Sequence, residues 1–164
     1  MPDFISDPLF PALDFPDYNL NVREKDKKFE IFDFIRKKYV SLTPEEWVRQ
    51  HTLHFLHHKL HIPAGIIIVE KSLTLNTLSK RADILVYGKI LNPLMLIECK
   101  APSVKITQAV FDQISRYNLV FKVQYLMITN GIQHFSFKAD FNEMKIISMD
   151  HFPDWDEMNL EKEV

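Results

Sequence analysis

The segment Pro93-Leu94-Met95-Leu96-Ile97-Glu98-Cys99-Lys100-Ala101-Pro102 constrains this chain more than any other. Proline interrupts both helices and interior strands, so the apolar run is confined to residues 94–100, the length of one strand. It ends in charge. Residues two apart on a strand share a face, about 6.6 Å apart. Glu98 and Lys100 therefore point the same way, and Cys99 points into the opposite face.

Three more segments read as strands: residues 66–70, residues 82–87 ended by Gly88, and residues 123–129. After the last of these, Asn130-Gly131 is a tight-turn pair. Residues 132–138 then alternate in a way that predicts a hairpin partner, and residues 144–148 a last strand. Thr43-Pro44-Glu45-Glu46 has the form of a capping box with proline at the first helical position. It predicts a helix from residue 44 to about residue 60, stopped by Pro63. Val110, Ile114 and Tyr117 recur at helical spacing and predict a second helix over residues 106–121. The order is helix, three strands, helix, two or more strands, an α/β arrangement of a mixed sheet with helices against it. Residues 29–42 fit neither period cleanly and are expected to be extended. Residues 23–28 (REKDKK) read as a solvated charge run. Residues 1–22 read as a proline-rich tail that lies on the domain through its aromatics or moves freely, and residues 23–164 as a single domain.

The 164 residues make about one domain, and 46% hydrophobic residues with 13 Phe supply a sizeable core. Three glycines argue against a glycine-rich phosphate cradle. A net charge of -2 neither favours nor excludes nucleic acid, which needs a local basic surface. One cysteine cannot form an internal disulfide and suits a reducing cytoplasm. The N-terminus lacks the pattern of a signal peptide, and no apolar run is long enough to span a bilayer. A cytoplasmic protein without a membrane segment is expected.

Asp83 opens the second strand, in Arg81-Ala82-Asp83-Ile84-Leu85. If that strand pairs with the one carrying Glu98, the two carboxylates reach the same spot. Carboxylates so placed repel, and one takes a proton unless a cation lies between them. Mg2+ suits a shallow oxygen site that keeps several waters. Such an ion bridges a phosphate oxygen and lowers the pKa of a bound water. Lys100 would stand beside that water, to orient or deprotonate it or to offset charge on phosphorus. An isolated Glu-x-Lys on a strand usually marks a solvated face. Its place between an apolar run and a proline turn, with an Asp on the strand before, sets this one apart.

The stretch RADILVYG…LMLIECKAPSVKITQAVFDQISRYN…YLMITNG resembles the N-terminal nuclease domain of type I restriction enzyme R subunits, within the PD-(D/E)XK superfamily. The resemblance runs from about Thr43 to Gly131. It implies a restriction-endonuclease-like mixed sheet flanked by helices. Asp83 and Glu98 would be metal ligands, with the Cys99 backbone carbonyl as another, and Lys100 the catalytic lysine. Gln113 and Tyr117 match a Gln-x-x-x-Tyr pattern near the site and the DNA; a surface amide and a core aromatic are the alternatives. Glu46 resembles the acid often carried on the first helix, against a capping role alone. Glu70 closes the first strand, where an accessory acid or a solvated edge residue fits. Lys80 and Arg81, beside Asp83, are candidates for phosphate contact. One departure is the lack of a Walker-type G-x-x-x-x-G-K-[ST] sequence and of room for a motor, so translocation does not carry over.

His51, His54, His57, His58 and His61 crowd the first helix within a sector of about 120°. A polar face, or an interface that protonates near pH 6, fits them better than zinc held by His54 and His58. The chain is thus expected to be a Mg2+- or Mn2+-dependent DNA endonuclease domain acting on phosphodiester bonds, with release of a 3′ oxygen implied by the resemblance. Expected partners are DNA and specificity, modification or motor subunits. The alternative is a catalytically silent nucleic-acid-binding or assembly module of a restriction-type complex. A homodimeric nuclease specific for junctions or ends is a third reading.

Overall fold

The structure is a computed structural model that describes residues 9–75 and 78–160, without the side chains of residues 73–75 and 78–80. A small antiparallel sheet comes first, from β1 (Val22–Lys25), β2 (Lys28–Asp33) and β3 (Lys38–Ser41). Helix α1 (Pro44–His58) and a 3-10 turn (Ala64–Ile66) lead into β4 (Ile67–Leu75), β5 (Leu78–Tyr87) and β6 (Pro93–Cys99). Helix α2 (Gln108–Phe121) then precedes β7 (Tyr125–Thr129), β8 (His134–Asp140), β9 (Lys145–Met149) and α3 (Trp155–Leu160). The large sheet has the order β4-β5-β6-β7-β8-β9. All its pairings are antiparallel except β6 with β7. Parallel neighbours need a crossover, and α2 is that crossover.

The fold is the expected α/β one, and the alternation in the sequence decides what covers each sheet face. Ile84, Val86, Met95, Ile97, Cys99, Tyr125 and Met127 pack with Val48, Leu53 and Leu56 of α1. Leu85, Leu96, Leu126 and Ile128 pack with Val110, Ile114 and Phe121 of α2. With helices on both sides, β6 and β7 are buried along nearly their whole length. Helix α1 starts where the capping box predicts, and Thr43 Oγ1 accepts the Glu46 amide at 3.0 Å. The box is only half made. The Glu46 carboxylate turns away to Arg36, Arg49 and Gln50. The helix also stops at His58 rather than about residue 60, with Ile62 N returning to Leu56 O.

Other differences have local causes. Residues 29–42 form two strands rather than one extended segment, because Asp33 Oδ1 accepts the amides of Ile35 and Arg36 and turns the chain. Residues 23–28 are mostly exposed but belong to a hairpin, with Asp26 and Lys27 left-handed at its turn. There Arg23 pairs with Glu30 at 2.7 Å and lies over the Tyr39 ring. The segment predicted to start at residue 123 starts at Tyr125, because the Asn118 amide bonds both the N–H and the carbonyl of Val123. Between β7 and β8, Asn130 Oδ1 accepts the amides of Ile132 and Gln133, so the turn is longer than a two-residue hairpin.

Residues 1–8 of the expected tail lie outside the described residues. The following stretch lies across α1 and the β7–β8 turn. Trp47 Nε1 donates to Pro11 O at 3.0 Å, and Asp14 N donates to Gly131 O at 2.7 Å. Phe15 packs on His51, Phe55 and His134, and Tyr18 on His54 and His58. His51 and His54 are therefore covered rather than solvated, while His58 and His61 remain exposed. Burial, then the neighbouring His58, pushes the pKa of His54 down to about 4. Among the described residues no group of three or more His, Cys, Asp or Glu is placed to hold a metal ion. No described helix is long and apolar enough to cross a membrane.

Thr43→Ala should destabilise the fold by about 1 kcal/mol, and Thr43→Ser by much less. Urea unfolding monitored by circular dichroism checks this; equal midpoints for all three proteins would show the cap is not used.

Candidate active site

A polar cleft of about 370 Å3 opens where α1, β5, β6 and α2 meet, lined by Glu45, Arg81, Asp83, Glu98, Lys100, Gln113 and Tyr117. The β5–β6 register pairs Ile84 with Ile97. One step further along, Asp83 falls opposite Glu98, so the backbone sets the two carboxylates side by side. Asp83 Oδ2 accepts the Cys99 amide at 2.8 Å, which ties its side chain to the end of β6. Lys100 lies just past β6, held by its own amide on Thr129 O at 2.8 Å. The loop beyond it is held by Asn130 Nδ2 on Val104 O at 2.9 Å.

Glu98 Oε1 accepts Lys100 Nζ at 2.6 Å and Gln113 Nε2 at 3.0 Å. Gln113 also donates to Tyr117 Oη at 2.9 Å. The four-residue spacing puts both on the face of α2 over the cleft. Asp83 Oδ1 meets Arg49 Nη2 at 3.2 Å, and the same nitrogen meets Glu45 Oε1 at 3.0 Å. Arg81 stands at the mouth, 61% exposed, with Nη1 3.8 Å from Glu70 Oε1.

Burial, then the charge of Asp83, raises the pKa of Glu98 to about 7. Burial and Asp83 also raise that of Glu45. Burial alone would lower the pKa of Lys100, but its hydrogen bond to Glu98 and the charges of Glu98, Asp83 and Glu45 outweigh it. Lys100 is thus an ammonium at neutral pH. Burial lifts the Cys99 thiol well above its usual range. Its side chain lies in the core beside Thr52, and only its backbone faces the site.

Of the residues singled out by sequence, Asp83, Glu98, Lys100, Gln113, Tyr117 and Arg81 come together in the cleft, with the Cys99 backbone at its base. The Lys80 side chain lies outside the described residues. Glu46 does not line the cleft; it is buried behind it against Arg36, Arg49 and Gln50. The neighbouring Glu45 supplies the acid from α1 instead. Glu70 does not line the cleft; it sits on the edge strand β4, part-exposed. It pairs with Arg36 at 3.0 Å. Sequence reasoning missed Glu45 and Arg49, although their four-residue spacing was the available signal.

A protonated Glu98 favours the folded state, because the folded chain binds that proton more tightly than the unfolded chain. This contribution is complete below the ordinary value of 4.5 and is lost as pH rises to about 7. Glu98→Gln should flatten the stability profile across that window, read from urea midpoints. A slope equal to that of wild type would place the raised pKa elsewhere.

A sequence model of the family described as type I restriction enzyme R protein N terminus (HSDR_N) matches residues 44–153, more than half of the chain. A solved structure described as a fragment of an HsdR subunit of a type I restriction enzyme from Vibrio vulnificus YJ016 is 23% identical. The similarity covers 57% of this chain and 18% of that chain, with a TM-score of 0.37. This chain therefore spans well under two thirds of that solved chain. No curated protein matches it.

Proposed function

The chain belongs to the family of type I restriction enzyme R protein N termini, and from that premise we propose that it is a metal-dependent DNA endonuclease domain of the PD-(D/E)XK type. The observation that carries this reading is the convergence of Asp83, Glu98 and Lys100, from two adjacent strands, in one polar cleft under Gln113 and Tyr117.

The charge balance fits a divalent cation. Six carboxylates (Asp33, Glu45, Glu46, Glu70, Asp83 and Glu98) meet four cationic side chains (Arg36, Arg49, Arg81 and Lys100) in the cleft and the ion-pair network behind it. With all of them ionised, two negative charges are left over. Burial first, and then the charge of Asp83, raise the pKa values of Glu98 and Glu45. Asp83, Glu98 and the Cys99 carbonyl would hold Mg2+ or Mn2+, with water completing a shell too sparse in protein ligands to be all-protein. When bound, the ion would offset charge on a phosphate and make a bound water more acidic.

The chain's own residues do the rest. Glu98 and Asp83 favour the protonated form of Lys100, the form that orients water and steadies charge on phosphorus. Gln113 fixes Glu98 and Tyr117 relative to one another, and Arg81 offers an exposed guanidinium to the DNA backbone. DNA, and specificity, modification or motor subunits, are the partners this reading assigns. A second reading, a silent binding or assembly module, is favoured by the partners that Asp83 and Glu98 already have in Arg49 and Lys100.

The test is nicking of supercoiled plasmid with Mg2+ or Mn2+. Lys100→Ala and Asp83→Ala should each lower the rate at least about a hundredfold. Equal nicking by wild type and Lys100→Ala would overturn the assignment. No nicking, and no calorimetric heat with Mn2+, would establish the silent module instead.

A further inference from the structure

We propose that Arg49 is a positioning residue of the cleft, whose Nη2 clamps Glu45 from α1 and Asp83 from β5 at a fixed separation. The inference rests on the reading of Asp83 as a metal ligand and adds a residue outside the Asp-Glu-Lys set.

Glu45 and Asp83 come from elements whose relative placement no strand register sets, and their charges repel. Nη2 meets Glu45 Oε1 at 3.0 Å and Asp83 Oδ1 at 3.2 Å, so one nitrogen holds both. The guanidinium is itself immobilised. Its side chain is 4% exposed, and Nη1 is paired with Glu46 Oε2 on the side away from the cleft. The other oxygen of Glu46 accepts Arg36 Nη2 at 2.7 Å and Gln50 Nε2 at 2.8 Å. Arg36 is fixed in turn by Asp33 at 2.5 Å and Glu70 at 3.0 Å. The chain Asp33–Arg36–Glu46–Arg49–Asp83 thus runs from the small sheet, through α1, to the cleft.

The planar fork of arginine is what this arrangement uses. It points one nitrogen at Glu46 and another at the Glu45–Asp83 pair, which the single ammonium of lysine cannot do. Charge and geometry make opposite demands on cation binding here. As a charge alone, Arg49 would repel a divalent ion, and its neutralisation would tighten binding. As a clamp, its loss lets the carboxylates separate and weakens binding.

The experiment is Mn2+ titration by calorimetry of wild type, Arg49→Lys and Arg49→Gln, with thermal melts recorded alongside. Both variants should bind Mn2+ about tenfold more weakly, the scale on which outer-shell partners of metal ligands act. A purely structural role would lower the melting temperature but leave the affinity of the folded protein unchanged. Wild-type affinity in Arg49→Lys, or tighter binding in Arg49→Gln, would overturn the clamp. Absence of Mn2+ binding by wild type would instead overturn the metal-site reading beneath it. If neither Arg49 variant folds, Arg36→Lys, a half-buried position behind the cleft, decides. It should weaken Mn2+ binding about threefold, since it loosens Glu46 and hence Arg49; an unchanged affinity would overturn the proposal.

Discussion

Glu98 and Asp83 lie opposite one another on strands whose apolar neighbours are fully buried, so neither carboxylate can withdraw into water. Burying two like charges side by side is unfavourable unless cations and hydrogen bonds offset it. Much of the surrounding structure supplies that offset. Lys100 and Gln113 address Glu98, and Arg49 and the Cys99 amide address Asp83. The supports of those groups extend outward in both directions. Asn130 holds the loop that follows Lys100, while Glu46 and Arg36 hold Arg49.

This dependence explains an odd division of labour on α1. Two successive glutamates follow the helix N-cap, and a helix separates successive side chains by about 100°. Glu45 is turned to the cleft and Glu46 to the small sheet. Arg49, three and four residues on, touches both. The helix thus joins two layers of charge, and its apolar side still packs Val48, Leu53 and Leu56 against the large sheet.

Most of the strands and both long helices were legible in the sequence, because their burial follows clean periods bounded by Pro, Gly and a capping Thr. The Asp83, Glu98 and Lys100 convergence was legible too, since strand alternation and one pairing suffice to bring them together. What escaped at the site had a common cause. The choice of Glu45 over Glu46, the pairing of Glu70 and the place of Arg49 depend on how α1 rolls against the sheet. That is a tertiary angle no local pattern encodes. His51 and His54 misled for the same reason: Phe15 and Tyr18 lie against them, and nothing local to either segment says that they meet.

The parallel pairing of β6 with β7 bears on how the protein acquires its cleft. Hairpins close by short loops, but β7 reaches β6 only after α2 has been laid down between them. Asp83 and Glu98 are brought together by the β5–β6 hairpin, whereas α1 must reach them from far along the chain, as the Arg49–Asp83 contact across 34 residues shows. The cleft is thus closed by two helices that come from opposite sides of the hairpin in sequence, and its full set of charges meets only where both are docked on the sheet.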